Sequence, residues 1–263
     1  MTVKSDNDEY DIIDEVGCGR FGKVVKVHSR KYDRVFAIKR SPKNGSNVYN
    51  ESMYHSEVKY LPMLEHKNIV NVYDYFEDGE NYNIVLEYCG VKTLHDLITE
   101  NAVLPLCTIK KIFKEILEAI TYAHSQNISH RDLKPCNICI DAKGNVKIVD
   151  WGFAIQSKNL VNSFCGTFPF AAPECIKKVP YNPCKSDMWS IGVSLYLAAF
   201  GKNPFDDISM SISISKALQC DYTISPNADK MLVNLIQGLL KLDPDARLDA
   251  AGALSHPFLI QKK

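Results

Sequence analysis

No sign of charge dominates this sequence: its 31 lysines and arginines are matched by 31 aspartates and glutamates. A chain so balanced has no global field to draw in nucleic acid or anionic lipid, so any charged ligand must be held locally. Long apolar runs are also missing. The longest, MWSIGVSLYLAAF at 188–200, is too short to span a bilayer and is broken by two serines and a glycine, so it reads as a buried helix. The opening stretch MTVKSDNDEYD is acidic and polar and lacks the apolar centre of a secretory signal. Internal repeats and low-complexity segments are absent as well. Cysteine is not scarce, at nine residues, but the number is odd and the positions are scattered. Reduced thiols in a cytoplasmic or nuclear protein are the expectation. Cys136 and Cys139 in PCNICI have redox or zinc spacing, yet the next cysteine, Cys165, has no close partner or nearby histidine to complete such a site, and both read as small apolar fillers.

What is present is ordinary for a globular protein: 46% apolar and 24% charged residues in 263. A chain of this length buries roughly three quarters of its unfolded surface, so it needs no staples. The first 90 residues carry strand patterns (KVVKVHS, RVFAIKR, NIVNVYDYFE, YNIVLEYC) bounded by Gly, Asn and Asp. One helix interrupts them from Glu51 to Leu64, where Tyr54, Glu57, Val58, Leu61 and Leu64 recur at spacings of three and four. After Cys89 the pattern turns helical, over 105–126, 183–200 and 228–241, with Pro105 near the start of the first. A β-rich part followed by an α-rich part, joined through YCGVKT, predicts an α+β chain of two lobes.

GCGRFGKV at 17–24 fits two phosphate-binding templates at once. A dinucleotide fingerprint needs a helix directly after the glycines, and a P-loop needs both that helix and a hydroxyl where Val24 stands. A strand pattern follows instead, so both readings fail. What remains is a hairpin whose Gly17, Gly19 and Gly22 let the backbone approach a phosphate chain closely, with Phe21 at the tip as a shield against water.

Further on come VFAIK (35–39), HRDLKPCN (130–137), DWG (150–152), APE (172–174) and DMWSIG (187–192). Together and in this order they resemble the eukaryotic protein kinase family, of serine/threonine type and similar to its calcium/calmodulin-dependent kinase-like group. The resemblance runs from about Tyr10 to Leu259. It implies a short polar tail over 1–9, then a kinase domain over 10–259: a small β-rich N-lobe with one long helix (about 10–87), a hinge (about 87–93) and a larger helical C-lobe (about 94–259).

Phosphoryl transfer requires positioning and charge stabilisation more than covalent help. By resemblance, Lys39 contacts the α and β phosphates of ATP and Glu57 is its ion-pair partner. At about 4 Å and an effective dielectric near 20 that attraction is roughly 4 kcal/mol before desolvation. Asp132 is implied as the base for the substrate hydroxyl, and Lys134 as the cation on the γ phosphate. Asn137 and Asp150 are implied as the ligands of Mg2+, a hard cation suited to a carboxylate, an amide oxygen and phosphate. Val24, Ala37, Leu86 and Cys139 would enclose the adenine, with backbone hydrogen bonds from Glu87 and Cys89. Lys134 and Thr167 favour serine or threonine as acceptor, and Phe153 resembles members that prefer serine. Trp151 stands where the family usually has Phe. It is expected to stack with Leu61, Val72 and His130 above Asp187 and, as the larger ring, to hold Asp150 toward the metal. Glu174 and Arg247 resemble the pair that ties the substrate loop to the C-lobe.

Cys136 and Thr93 replace acidic residues common in basic-directed members, so a requirement for upstream arginine is not implied. Ser163 occupies the spacing of an activating phosphosite, with Arg131 to receive the added charge of roughly −2. Regulation is expected from that loop, through an upstream kinase, or from a separate partner. No membrane or nucleic-acid partner is expected; the implied partners are protein substrates. A pseudokinase that binds nucleotide or acts as a scaffold is the alternative, but it predicts loss of Lys39, Asp132, Asn137 or Asp150, and all four are present. A small-molecule kinase is disfavoured by GTFPFAAPE and the full helical part.

Overall fold

A computed structural model describes residues 2–19, 22–43, 50–90 and 92–261. Six antiparallel strands form the first layer: β1 (Thr2–Lys4), β2 (Glu9–Gly19), β3 (Gly22–Ser29), β4 (Arg34–Pro42), β5 (Val72–Glu77) and β6 (Asn81–Glu87), in the spatial order β1-β2-β3-β4-β6-β5. Strand periodicity divides this layer between two cores. In β4, Phe36 and Ile38 join Val25, Val27 and Val85 in an outer cluster, whereas Ala37 faces the main core with Leu86 and Ile84. Because side chains alternate, Lys39 follows Ala37 onto the inner face, where it pairs in register with Val24 and Ile84.

Two expectations are corrected here. Residues 2–4 are not a tail: Thr2, Val3 and Lys4 pair with Asp11, Tyr10 and Glu9, and Val3 is buried in the outer cluster. Their polar flanks conceal this, because the edge is held by charges such as Arg30, which bridges Glu9 and Asp11. The helix read as Glu51–Leu64 is α1 (Asn50–Tyr60), followed by a 3-10 turn over Leu61–Met63. Pro62 supplies no N–H and disfavours helical geometry before it, which ends α1 early, yet Leu61 and Leu64 still reach the core.

The helical part comprises α2 (Leu94–Asn101), α3 (Leu106–Ser125), α4 (Pro173–Ile176), α5 (Pro183–Phe200), α6 (Met210–Gln219), α7 (Lys230–Leu239), α8 (Ala250–Leu254) and α9 (Pro257–Ile260). Helix α3 buries Ile109, Ile112, Phe113, Ile116, Leu117 and Ile120, a stripe at helical spacing. Helix α5 is buried nearly all round, including Ser186, Asp187, Ser190 and Ser194 beside its apolar residues. Asn182 caps its start, and Gly201, at φ +72°, ends it. None of the described helices is long and apolar enough to cross a membrane.

Short strands hold the loops between the two parts: β7 (Lys92–Thr93), β8 (Ile128–Ser129), β9 (Ile138–Ile140), β10 (Val146–Ile148) and β11 (Ile155–Gln156), paired as β10-β9-β7 and β11-β8. Residues 130–137 therefore emerge between β8 and β9, and 149–154 between β10 and β11. All nine cysteines are free thiols.

Candidate active site

A cleft of about 330 Å³ lies between the sheet and the helical part. Its roof is the β2–β3 hairpin with Gly17, Gly22 and Val24. Gly19 sits opposite Gly22 at the turn, and Phe21 lies outside the described residues. Gly22 has φ +142°, and a Cβ there would meet the Arg40 carbonyl oxygen on β4 at 2.1 Å, so no other residue permits this close approach of β3 to β4. Ala37 and Leu86 line the inner wall, Cys139 the floor, and Glu87 and Cys89 the connection. These are the positions the sequence assigned to an adenine site. The Glu87 side chain turns away, to Lys147 at 2.7 Å and Asn71 at 3.0 Å. Its backbone carbonyl accepts from the Cys89 thiol at 3.4 Å.

At the deep end three charged side chains meet. Lys39 Nζ lies 2.7 Å from Glu57 Oε2 and 2.5 Å from Asp150 Oδ1. Glu57 comes from the inner face of α1 and is 1% exposed. Burial pulls the lysine toward neutrality, but Asp150 and Glu57 outweigh it and hold the ammonium above its usual range. Asp150 is also desolvated, yet Lys39 keeps it below the ordinary carboxylate value, whereas burial raises Glu57 despite the ion pair. Asp150 is therefore the firmly ionised carboxylate of the two. Its backbone stands at φ +63°, a left-handed conformation that aims the side chain into the cleft.

Behind Asp150, Trp151 is fully buried, with its ring centroid 4.7 Å from that of His130. Leu61 is buried and Val72 half-buried. Asp187 lies beneath, accepting the backbone N–H of His130 at 2.9 Å and that of Arg131 at 2.8 Å. Arg131 is itself left-handed, at φ +68°, so these two bonds fix an unfavourable turn that presents Asp132.

Asp132 adjoins the cleft beside Asn137 and is 5% exposed. Its Oδ2 accepts from Lys134 Nζ at 2.7 Å and from the Asn137 amide nitrogen at 3.1 Å. Asn137 so oriented offers its oxygen elsewhere. The Thr167 hydroxyl donates to Asp132 Oδ1 at 2.8 Å and accepts from Lys134 Nζ at 2.6 Å. Lys39, Asp150 and Asn137 thus line the cleft, and Asp132 and Lys134 adjoin it through Asn137.

Ser163 lies apart from this group. Its hydroxyl is 2.6 Å from Arg131 Nη2, and its carbonyl accepts from the Tyr181 hydroxyl at 3.0 Å. Glu174 and Arg247 form a buried bidentate pair at 2.9 and 3.2 Å, with Arg247 also over the Trp189 ring. Sequence reasoning missed Tyr181, Lys147 and His124. None belongs to a motif, and each acquires its role only through a partner 18 to 63 positions away.

A family model described as "Protein kinase domain" matches residues 10–259. Among curated proteins, sperm motility kinase 2B of Mus musculus is 33% identical over 255 residues, 96% of this chain and 52% of that protein. Sperm motility kinase 3A of Mus musculus is 36% identical over 208 residues, 78% of this chain and 41% of that protein. The probable serine/threonine-protein kinase MARK-A of Dictyostelium discoideum is 31% identical over 266 residues, 100% of this chain and 25% of that protein. The chain spans about half the length of the sperm motility kinases or less.

Proposed function

Because the chain belongs to the protein kinase domain family, we propose that it transfers the terminal phosphoryl group of ATP to serine or threonine hydroxyls of proteins. One observation carries this reading: a cation, two carboxylates and an amide oxygen from separate segments meet at the edge of a cleft with apolar walls. Lys39 would hold the phosphate chain, and Glu57 would fix Lys39. The donor set fits magnesium, because Asp150 has one oxygen on Lys39 and a second free of that bond, and Asn137 offers an amide oxygen. Among the described residues no cluster of three or more His, Cys, Asp or Glu could hold a metal alone, so phosphate oxygens would complete the coordination. The ion would neutralise charge on the phosphates.

Asp132 would orient the acceptor hydroxyl and take its proton. The Thr167 hydroxyl supports this reading, since it donates to Asp132 while accepting from Lys134. An incoming hydroxyl held in the same way has its proton on the carboxylate and its oxygen beside a cation.

The test is a serine- and threonine-containing peptide library incubated with labelled ATP and magnesium, beside Asp132→Ala. Turnover on the order of 1 to 100 per second is expected for the family chemistry, falling about two to four decades in the variant. Equal labelling by both proteins refutes the base role. Nucleotide binding without labelling of any peptide establishes a pseudokinase instead.

A further inference from the structure

Cys184 stands in the first turn of α5, where Asn182 Oδ1 caps the helix and accepts the Cys184 backbone N–H at 3.0 Å. Asp187 follows three positions on, so the two side chains leave the same face of the helix. That face meets His124, in the last turn of α3. His124 Nε2 lies 2.9 Å from Asp187 Oδ2, and the Cys184 side chain hydrogen-bonds to the same imidazole. A thiol and a carboxylate thus flank one imidazole, and none of the three lines the nucleotide cleft.

Two surroundings make a cysteine sulfur nucleophilic: the N-terminus of a helix and a neighbouring histidine cation. Cys184 has both. Helix α5 is 18 residues long, and its partial positive charge is concentrated in the turn where this sulfur stands. Asp187 and Cys184 keep His124 protonated against the pull of burial. Solvent reaches the group as well, since Cys184 is only half-buried. Other thiols differ. Desolvation pushes Cys89, Cys139, Cys165 and Cys175 up, away from the reactive form. Cys107 is exposed in the first turn of α3, so it has the helix N-terminus, but His124 lies at the other end of that helix.

We propose that Cys184 is a site of oxidation by hydroperoxides, with His124 as proton donor, and that the modification reaches the loop carrying Asp132 through Asp187. The thiolate sulfur attacks one peroxide oxygen, and the S–O bond forms as the O–O bond breaks. Sulfur is oxidised to a sulfenic acid and the peroxide is reduced; the departing hydroxide takes the imidazolium proton and leaves as water. Asp187 then loses a cationic partner at the oxygen that also takes the His130 N–H. Its other oxygen holds the Arg131 N–H, so the turn that presents Asp132 loosens. The oxidation stands apart from the kinase reading, whereas its effect on turnover rests on it.

Hydrogen peroxide with dimedone, followed by peptide mass spectrometry, reads the sulfenic acid at each cysteine. Cys184 is expected to label about tenfold faster than the more exposed Cys107 and Cys18. His124→Gln should remove that excess and leave Cys107 at its rate. Labelling that follows exposure, with Cys107 and Cys18 ahead, overturns the proposal, and so does a His124→Gln protein in which Cys184 keeps its lead. The comparison within the wild type needs no variant, so it decides the matter even where His124→Gln fails to fold. Peroxide without dimedone should lower kcat on a peptide about fivefold, spare Cys184→Ser, and be reversed by dithiothreitol. Oxidised Cys184 with kcat unmoved overturns the link through Asp187. A protein that phosphorylates no peptide removes the kinase reading, and the labelling order still decides the site.

Discussion

The indole N–H of Trp151 donates to the Ile148 carbonyl at 3.3 Å, and this bond is what a phenylalanine at the same place would lack. With the ring against His130 and fully buried, rotation of the segment would have to break a hydrogen bond and expose the largest side chain near the site. Asp150 and Lys39 are in contact in this arrangement. Trp151→Phe is therefore expected to lower stability by about 1–2 kcal/mol and to weaken nucleotide affinity in magnesium more than in its absence. Denaturant melts and nucleotide titrations with and without magnesium read the two effects. An unchanged magnesium dependence would show that the indole serves packing alone.

The three charges at the deep end are coupled, and removing the cation exposes the coupling. In Lys39→Met, Glu57, which burial already raises, loses its counterion and must take up a proton to remain folded. A carboxyl whose folded value lies above its unfolded value stabilises below the unfolded value and loses that contribution as pH rises. The variant should thus be less stable at pH 8 than at pH 5 relative to wild type, and Glu57→Gln added to it should flatten the difference. Thermal melts at both pH values check this. A gap independent of pH would mean that Glu57 remains ionised without Lys39.

Much of this site was legible because its residues lie in short contiguous segments. HRDLKPCN alone carries a base, a cation and an amide, and DWG a carboxylate with its buried neighbour. The two-lobed α+β architecture was equally legible, since alternation before Cys89 and helical spacing after it are local signals. Contacts between distant residues were not. Tyr181 reaches Ser163 only because Val161 and Tyr181 form a β-bridge, and nothing in the sequence around either residue announces that pairing. Strand β1 was hidden for a related reason: one buried valine between polar residues gives no periodicity to read.

Ser163 sits where an added phosphate would meet a fixed cation. The Arg131 guanidinium already touches its hydroxyl and its carbonyl, and Arg131 is also the left-handed residue that presents Asp132. A charge of roughly −2 at that point would stiffen the link from the substrate loop to the base. Ser163→Ala is expected to reduce turnover with little change in the KM for ATP, and mass spectrometry of active protein should find phosphate on Ser163. A fully active Ser163→Ala protein would remove this role.

Gly166 packs the substrate loop against the catalytic loop at a distance no side chain allows. Its φ is +92°, and an added Cβ would stand 2.5 Å from the Arg131 carbonyl oxygen and 3.3 Å from Asp132 Oδ1. Gly166→Ala should push Thr167 off Asp132 and lower kcat at least tenfold, with a stability loss of about 1–3 kcal/mol. Nucleotide affinity should hold, because the cleft is lined elsewhere. Equal kcat in the variant would show that the loop relaxes without moving Thr167.

His124 supports the base from below and titrates in an accessible range. Its Nε2 lies 2.9 Å from Asp187 Oδ2, the oxygen that also takes the His130 N–H. Burial pulls this imidazole down, but the bonds to Asp187 and Cys184 outweigh it and raise the group from 6.5 to about 9. A histidine raised in the folded state contributes fully below its unfolded value, since both states then carry the proton. Between about 6.5 and 9 the unfolded chain releases its proton and the folded one keeps it, so this stabilisation falls as pH rises and is gone above about 9. The pH-dependent part corresponds to about 3 kcal/mol. His124→Gln should therefore differ most from wild type near pH 6, and the gap should close as pH passes 9, in urea melts from pH 6 to 10. Because Asp187 also fixes the backbone of Arg131, wild-type kcat should fall along the same curve while the variant's stays flat. A stability gap constant across that range would mean that His124 is neutral in the folded protein and acts only by filling space.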